Sequence, residues 1–441
     1  MEKRAPELLM PAGDSEKLRY AFAYGADAVY AGVPIFSLRA RENSFTKDSL
    51  QEGIKLAHDL GKKLYLTMNI YAHNTKIQRF LDSFLEMSDL GPDGFIMTDT
   101  GLIKECLRLK PDTVVHLSTQ ANVTNWLDVK FWHELGVKRI ILSRELSLGE
   151  ITEMHARVPE IELEAFVHGA ICVAYSGRCL ISNYLNHRDA NQGVCTNSCR
   201  WQYKLAVDRQ SFVEYENEAV KEREYAPLKG DYVVHPWSNA EENFMKESFP
   251  IDEDENGTYL MNAKDLCAIE LIDKLHAAGV CSLKIEGRTK SEYYVATVAR
   301  AYRRAIDDMI AGREFNKENL MELIATQNRT MTTGFLVKRP EEYGQNYNDG
   351  YSAPHTHRYA ARVKSYDAET QIAWVEMKNR VEKGTALEWF SPTQTQIATV
   401  NEIYNARKEA VDTAHGGLVL GIKVPFDVDD MWLARQRLQS E

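Results

Sequence analysis

The sequence predicts a closed (β/α)8 barrel of the TIM type, followed by a small all-β barrel domain. Eight apolar, β-rich runs alternate with amphipathic stretches across roughly the first 310 residues, the rhythm and size of such a barrel. No G-x-G-x-x-G opens a helix, so the competing doubly wound sheet lacks its dinucleotide fingerprint. Beyond a polar linker the apolar period falls to two and helical patterns stop.

The strand-like runs are Glu7–Met10, Ala26–Tyr30, Lys63–Asn69, Gly94–Thr98, Val114–Ser118, Arg139–Ser143, Ile161–Val167 and Ser282–Glu286. Between them lie amphipathic stretches such as Ser15–Tyr24, Lys47–Leu60, Thr75–Met87, Asn125–Leu135 and Ser147–Ala156. Gly61, Gly91 and Gly136 read as their C-terminal caps. The last unit has a helix near Leu266–Ala278 before its strand and a long helix from Ser291 to about Gly312. An insertion at 169–258 separates strands seven and eight. Its middle, Arg209–Asn256, holds thirteen acidic and five basic side chains and reads as a surface excursion. The barrel is thus placed at 1–342, the linker at 343–357 and the β domain at 358–441. That domain's strand runs are Tyr359–Tyr366, Gln371–Lys378, Ala386–Phe390, Thr395–Tyr404, Leu418–Val424 and Met431–Ala434.

No run approaches a membrane span, and Leu8–Met10 is too short for a signal-peptide core. The expectation is a cytoplasmic protein with no membrane partner, in a compartment where disulfides are rare. The net charge of −11 argues against binding a polyanion by bulk electrostatics. Because most of that excess sits in Arg209–Asn256, a locally basic face toward nucleic acid stays open.

Four of the seven cysteines occur as Cys172-x6-Cys179-x15-Cys195-x3-Cys199, all inside the insertion. Thiolates gathered this way ligate a soft metal or an iron–sulfur cluster, pair as disulfides, or fill a core. Zinc sites favour closer pairs than the first one here, whereas clusters tolerate irregular spacing. Spacing alone leaves cluster, zinc and structural roles open. Cys106, Cys267 and Cys281 lie in or beside predicted helices and read as buried, inert thiols.

In a (β/α)8 barrel, chemistry sits on the loops that follow the strand C-termini. The polar residues there are Asn69, His73, Asp99, Gln120, Asn122, Arg144, Glu145, His168, Glu286 and Arg288. Such a ring suits a polar substrate. His116, inside a strand, reads as a core histidine. Asp99-Thr100-Gly101 copies the aspartic-protease triplet, but that chemistry needs two aspartates, and an Asp opening a helix is an ordinary N-cap.

The segment Glu164-Ala-Phe-Val-His168-Gly-Ala-Ile-Cys172-Val-Ala-Tyr175-Ser-Gly177-Arg178-Cys179-Leu-Ile-Ser182 resembles the signature of the collagenase-like peptidase family U32 at every fixed position. Asn191-Gln-Gly-Val-Cys195-Thr-Asn-Ser-Cys199-Arg200-Trp201, Lys264-Asp265-Leu266 and Lys284-Ile-Glu286-Gly-Arg288 are similar to that family too. The opening Glu7-Leu-Leu-Met-Pro-Ala-Gly, the stretch Tyr20–Gly32 and Ser143-Arg-Glu-Leu-Ser147 resemble its YegQ branch. The resemblance implies an oxygen-independent RNA hydroxylase with a [4Fe–4S] cluster on Cys172, Cys179, Cys195 and Cys199. It further implies tRNA as partner, 5-hydroxyuridine at the wobble position as product, and prephenate as co-substrate. Sister branches hydroxylate a ribosomal RNA cytidine or the ubiquinone ring.

On that reading Arg144 and Arg288 are candidates for the carboxylates of prephenate, since guanidinium forks bind carboxylates bidentately. Arg39 and Arg41 would serve the same end or contact phosphate, and Asn69 and Gln120 complete the substrate-binding set. His168, Glu286 and Tyr175 are the catalytic candidates, with His168 a proton shuttle between mouth and cluster. Tyr175, Arg200 and Trp201 are placed to stack on an unpaired base. Two other classes remain: a peptidase, as the family label suggests, and a non-catalytic iron–sulfur RNA-binding module.

Overall fold

The computed structural model describes residues 5–38, 43–172, 174–179, 181–182, 190–192, 252–254, 257–259, 264–326, 330–338 and 356–438. The first part runs β1 (Glu7–Ala12), α1 (Ser15–Ala23), β2 (Ala28–Gly32), α2 (Lys47–Asp59), β3 (Lys63–Met68), α3 (Ile77–Ser88) and β4 (Gly94–Met97). It continues α4 (Thr100–Leu109), β5 (Val115–Leu117), α5 (Trp126–Glu134), β6 (Arg139–Ile141), α6 (Leu148–Arg157) and β7 (Glu162–Ala170). The insertion contributes a hairpin of β8 (Asp252–Asp254) and β9 (Gly257–Tyr259). Then come β10 (Asp265–Cys267), α7 (Ile272–Ala277), β11 (Val280–Ile285), α8 (Glu292–Ile310), α9 (Lys317–Ile324) and β12 (Met331–Thr332). Strands β1 to β7 pair parallel in chain order, and β11 pairs parallel with both β7 and β1. Eight strands therefore close the predicted barrel.

Short polar side chains start the helices where the strands end. Asp14 accepts from the Lys17 N–H, and Thr46 and Ser147 form capping boxes with Ser49 and Glu150. Asp99 accepts from the N–H groups of Gly101 and Leu102, so the Asp-Thr-Gly triplet is a helix start. Gly61, Gly91 and Gly136 follow their helices at positive φ, as the sequence predicts.

Two expectations for the barrel part are corrected. Strand seven does not stop at Val167; it continues to Ala170 and pairs antiparallel with β10, Gly169 opposite Leu266 and His168 opposite Cys267. Leu266 and Cys267, expected to begin a helix, are strand for that reason: their backbone groups find partners on the extended β7. Helix α7 starts only at Ile272, after a 3-10 turn at Ile269–Leu271.

Leu9, Ala28, Tyr30, Tyr65, Ile96, Ile141 and Phe166 pack together inside the barrel. Toward the strand N-termini the filling becomes ionic. Arg139 contacts Glu7 at 2.6 Å, Glu162 at 2.6 Å and Glu164 at 3.2 Å, and Lys284 meets Glu164 at 2.7 Å. His116 is buried beside the Tyr65 ring, at 4.5 Å between centroids. Burial, reinforced by Arg139 and Lys284, holds its pKa far below the ordinary value, so it is a neutral core histidine.

The C-terminal part comprises β13 (His357–Asp367), β14 (Ile372–Met377), β15 (Val381–Glu382), β16 (Ala386–Phe390) and β17 (Thr395–Thr399). It ends with β18 (Ile403–Tyr404), β19 (Ala410–Val411), β20 (Thr413–Ala414), β21 (Val419–Lys423) and β22 (Leu433–Arg437). Eight of these form an antiparallel sheet in the order β17-β16-β22-β13-β14-β21-β18-β19 around Trp389, Val375, Ile422 and Ala434. The single run expected at Thr395–Tyr404 is two strands, β17 and β18, broken between Thr399 and Ile403.

The two parts are joined by buried polar contacts. Tyr24 donates to the Met431 and Phe390 carbonyls at 2.7 and 3.2 Å, and Tyr293 stacks on Tyr359 at 5.0 Å. Arg300 of α8, only 1% exposed, donates to the Ser391 carbonyl at 3.0 Å and pairs with Glu322 at 2.8 Å. Glu322 also receives Arg435 at 3.1 Å, and Arg435 reaches Glu388 at 2.8 Å. Burial would raise the Glu322 carboxyl, but Arg300 and Arg435 outweigh it and hold its pKa below the usual glutamate value. The hydrogen bond from His357, opposed by burial and joined by Arg435, brings Glu388 down to about 2.

Glu322→Gln leaves two buried guanidinium groups short of a counter-charge and should cost about 3 kcal/mol in urea unfolding. Because the folded pKa of Glu388 lies below its unfolded value, its stabilisation is full above about pH 4.5. It should be lost as the pH falls toward 2, which acid titration of the wild-type unfolding midpoint will show.

Candidate active site

The C-terminal mouth of the barrel is lined by polar side chains that alternate with core residues along β3, β4 and β5. Asn69 Oδ1 accepts from the Leu38 N–H at 3.0 Å, and its Nδ2 faces Ser118 Oγ at 3.5 Å. Gln120 Oε1 accepts from Thr98 Oγ1 and Ser118 Oγ, each at 3.3 Å. Asn122 takes the Ser143 hydroxyl at 3.3 Å. Asn69 and Gln120, both expected at the mouth, are thus brought together. The hydroxyls of Ser37, Thr67, Thr98 and Ser118 between them were missed. Their signal was available: every second residue at the ends of strands three to five is Thr, Asn, Ser or Gln.

Arg144, just past β6, stands with its guanidinium carbon 4.0 Å from the Phe166 ring centroid and pairs with Glu286 at 3.5 Å. Its Nε is buried without a partner. Arg144 and Glu145 are adjacent in sequence, as Glu286 and Arg288 nearly are, yet the ion pair formed is Arg144–Glu286. Glu145 instead accepts from the Ser176 N–H at 3.0 Å. Arg288, expected to fork a substrate carboxylate, is buried and gives Nη1 to Ser37 and Thr67 at 2.7 and 3.0 Å and Nη2 to the Leu38 carbonyl. It braces the loop after β2. Arg39 and Arg41 of that loop lie outside the described residues, as do Arg200 and Trp201.

His168 does not face the mouth. Its ring packs against Tyr294 and Tyr302 of α8, at 5.9 and 5.6 Å between centroids, in the helix layer. Burial, with Lys290 adding to it, pushes its pKa down to about 3, so it stays neutral at physiological pH. The expected shuttle near neutrality is therefore replaced by a packed, uncharged ring.

The segment bearing Cys172 and Cys179 lies on the rim. Ser176 is held by Glu145, and Gly177, at φ +73°, rests on the main chain of Gln120 so closely that a Cβ would stand 2.1 Å from the Gln120 carbonyl oxygen. Only glycine fits there. Tyr71 clamps the same carbonyl from below at 2.9 Å. Cys172 is exposed, Cys179 is partly buried, and the Tyr175 side chain is 59% exposed between them. Cys195 and Cys199 lie outside the described residues, and among the described residues no three His, Cys, Asp or Glu side chains gather as metal ligands. Burial pushes the thiols of Cys106 and Cys281 up to about 12 and that of Cys267 up to about 11; Cys106 and Cys267 are buried as expected, whereas Cys281 on β11 is only partly buried.

Among the thiols of the described residues, alkylation of the native, metal-free protein should label Cys172 first, and Cys106 and Cys267 only after unfolding; peptide mass mapping reads the order.

Residues 13–346 match the family model of Peptidase family U32, and residues 355–435 match that of the Peptidase family U32 C-terminal domain. The chain is 44% identical over 440 residues to the tRNA hydroxylation protein P of Haemophilus influenzae, covering 96% of this chain and 94% of that one. It is 44% identical over 430 residues to the protein of the same name from Escherichia coli, with 96% and 95% covered. The Escherichia coli 23S rRNA 5-hydroxycytidine synthase is 32% identical over 307 residues, 70% of this chain and 40% of that one. Among solved structures, the C-terminal domain of a Geobacillus thermoleovorans U32 peptidase is 26% identical, covering 18% of this chain and 99% of that one at a TM-score of 0.18. Matched by both models and by relatives along nearly its whole length, the chain belongs to peptidase family U32.

Proposed function

We propose that this chain is a tRNA hydroxylase that converts a wobble uridine to 5-hydroxyuridine in the barrel mouth. Prephenate is its co-substrate, and a [4Fe–4S] cluster is held by Cys172, Cys179, Cys195 and Cys199. The observation that carries the reading is the Cys172–Cys179 segment, fastened by Glu145 and Gly177 over the polar rim where a (β/α)8 barrel does its chemistry. Relatives spanning nearly the whole chain carry tRNA hydroxylation in their names, which supports the substrate class. The two described donors suit the group: Cys172 and Cys179 are soft thiols on the rim beside the mouth, one exposed and one partly buried. When bound by those thiolates, the cluster would supply one-electron transfer to the reaction.

The chain's own residues bind and orient. Arg144 presents a guanidinium over Phe166, with Nε free of partners and only a loose pairing to Glu286. A carboxylate of prephenate entering there makes the bidentate contact that Glu286 does not. Glu286 keeps Arg144 oriented until then. Tyr175 offers an exposed ring for a base to stack on, with Arg200 proposed beside it, and Arg39 and Arg41 are proposed contacts to carboxylate or phosphate. Arg288 holds Ser37 and Leu38, next to Arg39 in the chain. Among the described residues no helix is long and apolar enough to cross a membrane. A peptidase reading gains nothing from this geometry, since Asp99 is spent as a cap and His168 is buried in the helix layer.

Anaerobically prepared protein should be brown and contain iron, and colourless, iron-free protein would count heavily against the cluster. In cells lacking the gene, wobble 5-hydroxyuridine derivatives should vanish from tRNA digests and return with wild type but not with Cys179→Ala. Arg144→Leu should raise KM for prephenate roughly tenfold or more while leaving the iron content unchanged, the cost of one charged hydrogen bond.

A further inference from the structure

Gln120 is 6% exposed, and its Nε2 is buried without a hydrogen-bond partner. Its orientation follows from a chain of donors with a fixed start. The Leu38 N–H can only donate, so the Asn69 atom it meets at 3.0 Å is the oxygen. Asn69 Nδ2 therefore faces Ser118 Oγ at 3.5 Å, which leaves Ser118 its own proton to give to Gln120 Oε1 at 3.3 Å. Turned over, Gln120 would strand both the Ser118 proton and its own carbonyl oxygen. The position is rigid as well, because Tyr71 holds the Gln120 carbonyl and Gly177 covers it. An unmade buried hydrogen bond is unfavourable, and an acceptor brought by a ligand removes that cost.

We infer that Gln120 is the residue that selects uracil over cytosine, by donating from Nε2 to O4 of the pyrimidine; this rests on the hydroxylase reading above. The two bases differ where O4 of uracil accepts and the 4-amino group of cytosine donates. Chemistry at C5 requires the C5 edge to enter first. O4 sits on the adjoining ring carbon and enters with it, whereas O2, common to both bases, lies across the ring. A fixed amide donor therefore meets an acceptor in uracil and another donor in cytosine, and opposed donors reject a base more sharply than a missing contact does. The relative named as a 5-hydroxycytidine synthase faces the opposite choice.

The test compares two anticodon stem–loops that differ only in uridine or cytidine at the wobble position. Their affinities are measured by fluorescence anisotropy for the cluster-loaded full chain and for its Gln120→Leu and Gln120→Glu variants. Wild type should prefer the uridine loop about tenfold, the value of one hydrogen bond with its donor–donor penalty. Gln120→Leu should bring the ratio close to one without weakening the cytidine loop, and the near-isosteric Gln120→Glu should invert it. General damage to the fold lowers both affinities together and leaves the ratio in place, which would overturn the inference. So would a wild type that binds both loops equally, or a Gln120→Leu protein that keeps the preference. A wild type that binds neither loop defeats the hydroxylase reading itself.

Discussion

The pairing of β7 with β11 closes the barrel, and its register slips twice, between Val280 and Ser282 and between Lys284 and Ile285. A one-residue slip sends a side chain to the other face of a sheet. Phe166 therefore stays inside, beneath Arg144, while His168 turns outward onto Tyr294 and Tyr302 of α8. Past His168, β7 leaves the barrel wall. Gly169 and Ala170 pair with β10, and the chain leaves toward the rim with Cys172 two residues on. Closure of the fold and delivery of the cysteine segment are thus one event.

The barrel interior divides its polar groups by height. Near the strand N-termini the charges are mutually satisfied: Arg139 serves three carboxylates, and Lys284 completes Glu164. Such an arrangement tolerates no vacancy, since removing one member leaves another buried and unpaired. Glu164 and Lys284 stand in the segments that resemble the family signature, yet their contacts lie below the mouth and hold the floor. At the other end the groups are neutral or loosely paired, and Gln120 Nε2 and Arg144 Nε remain unmade. Paired charge holds the floor, and at the mouth two donors are left open to a ligand.

Much of this was legible in sequence. The eight barrel strands fall where apolar β-rich runs occur, because strands buried on both faces leave a continuous apolar signature. The helix starts are legible from Asp14, Thr46, Asp99 and Ser147, whose caps act within three residues. The site was half legible. Asn69, Gln120, Arg144 and Glu286 meet at the mouth because the loop rule depends only on strand order. Their partners were not: Arg144 pairs with Glu286 rather than Glu145, and Arg288 is spent on Ser37, Thr67 and Leu38. Adjacent numbers suggest pairs, but barrel closure brings residues more than a hundred positions apart into contact.

By itself, then, the chain determined its periodicities, its caps, the order of its strands and the gathering of four thiols in one insertion, since each is written in residues that interact locally or repeat. The tertiary structure decided which way His168 turns, that Leu266 and Cys267 are strand, and which donors at the rim go without acceptors. Those outcomes depend on register across a closed sheet. Register is set by the summed fit of eight strands and the helices around them, and no window of sequence contains it.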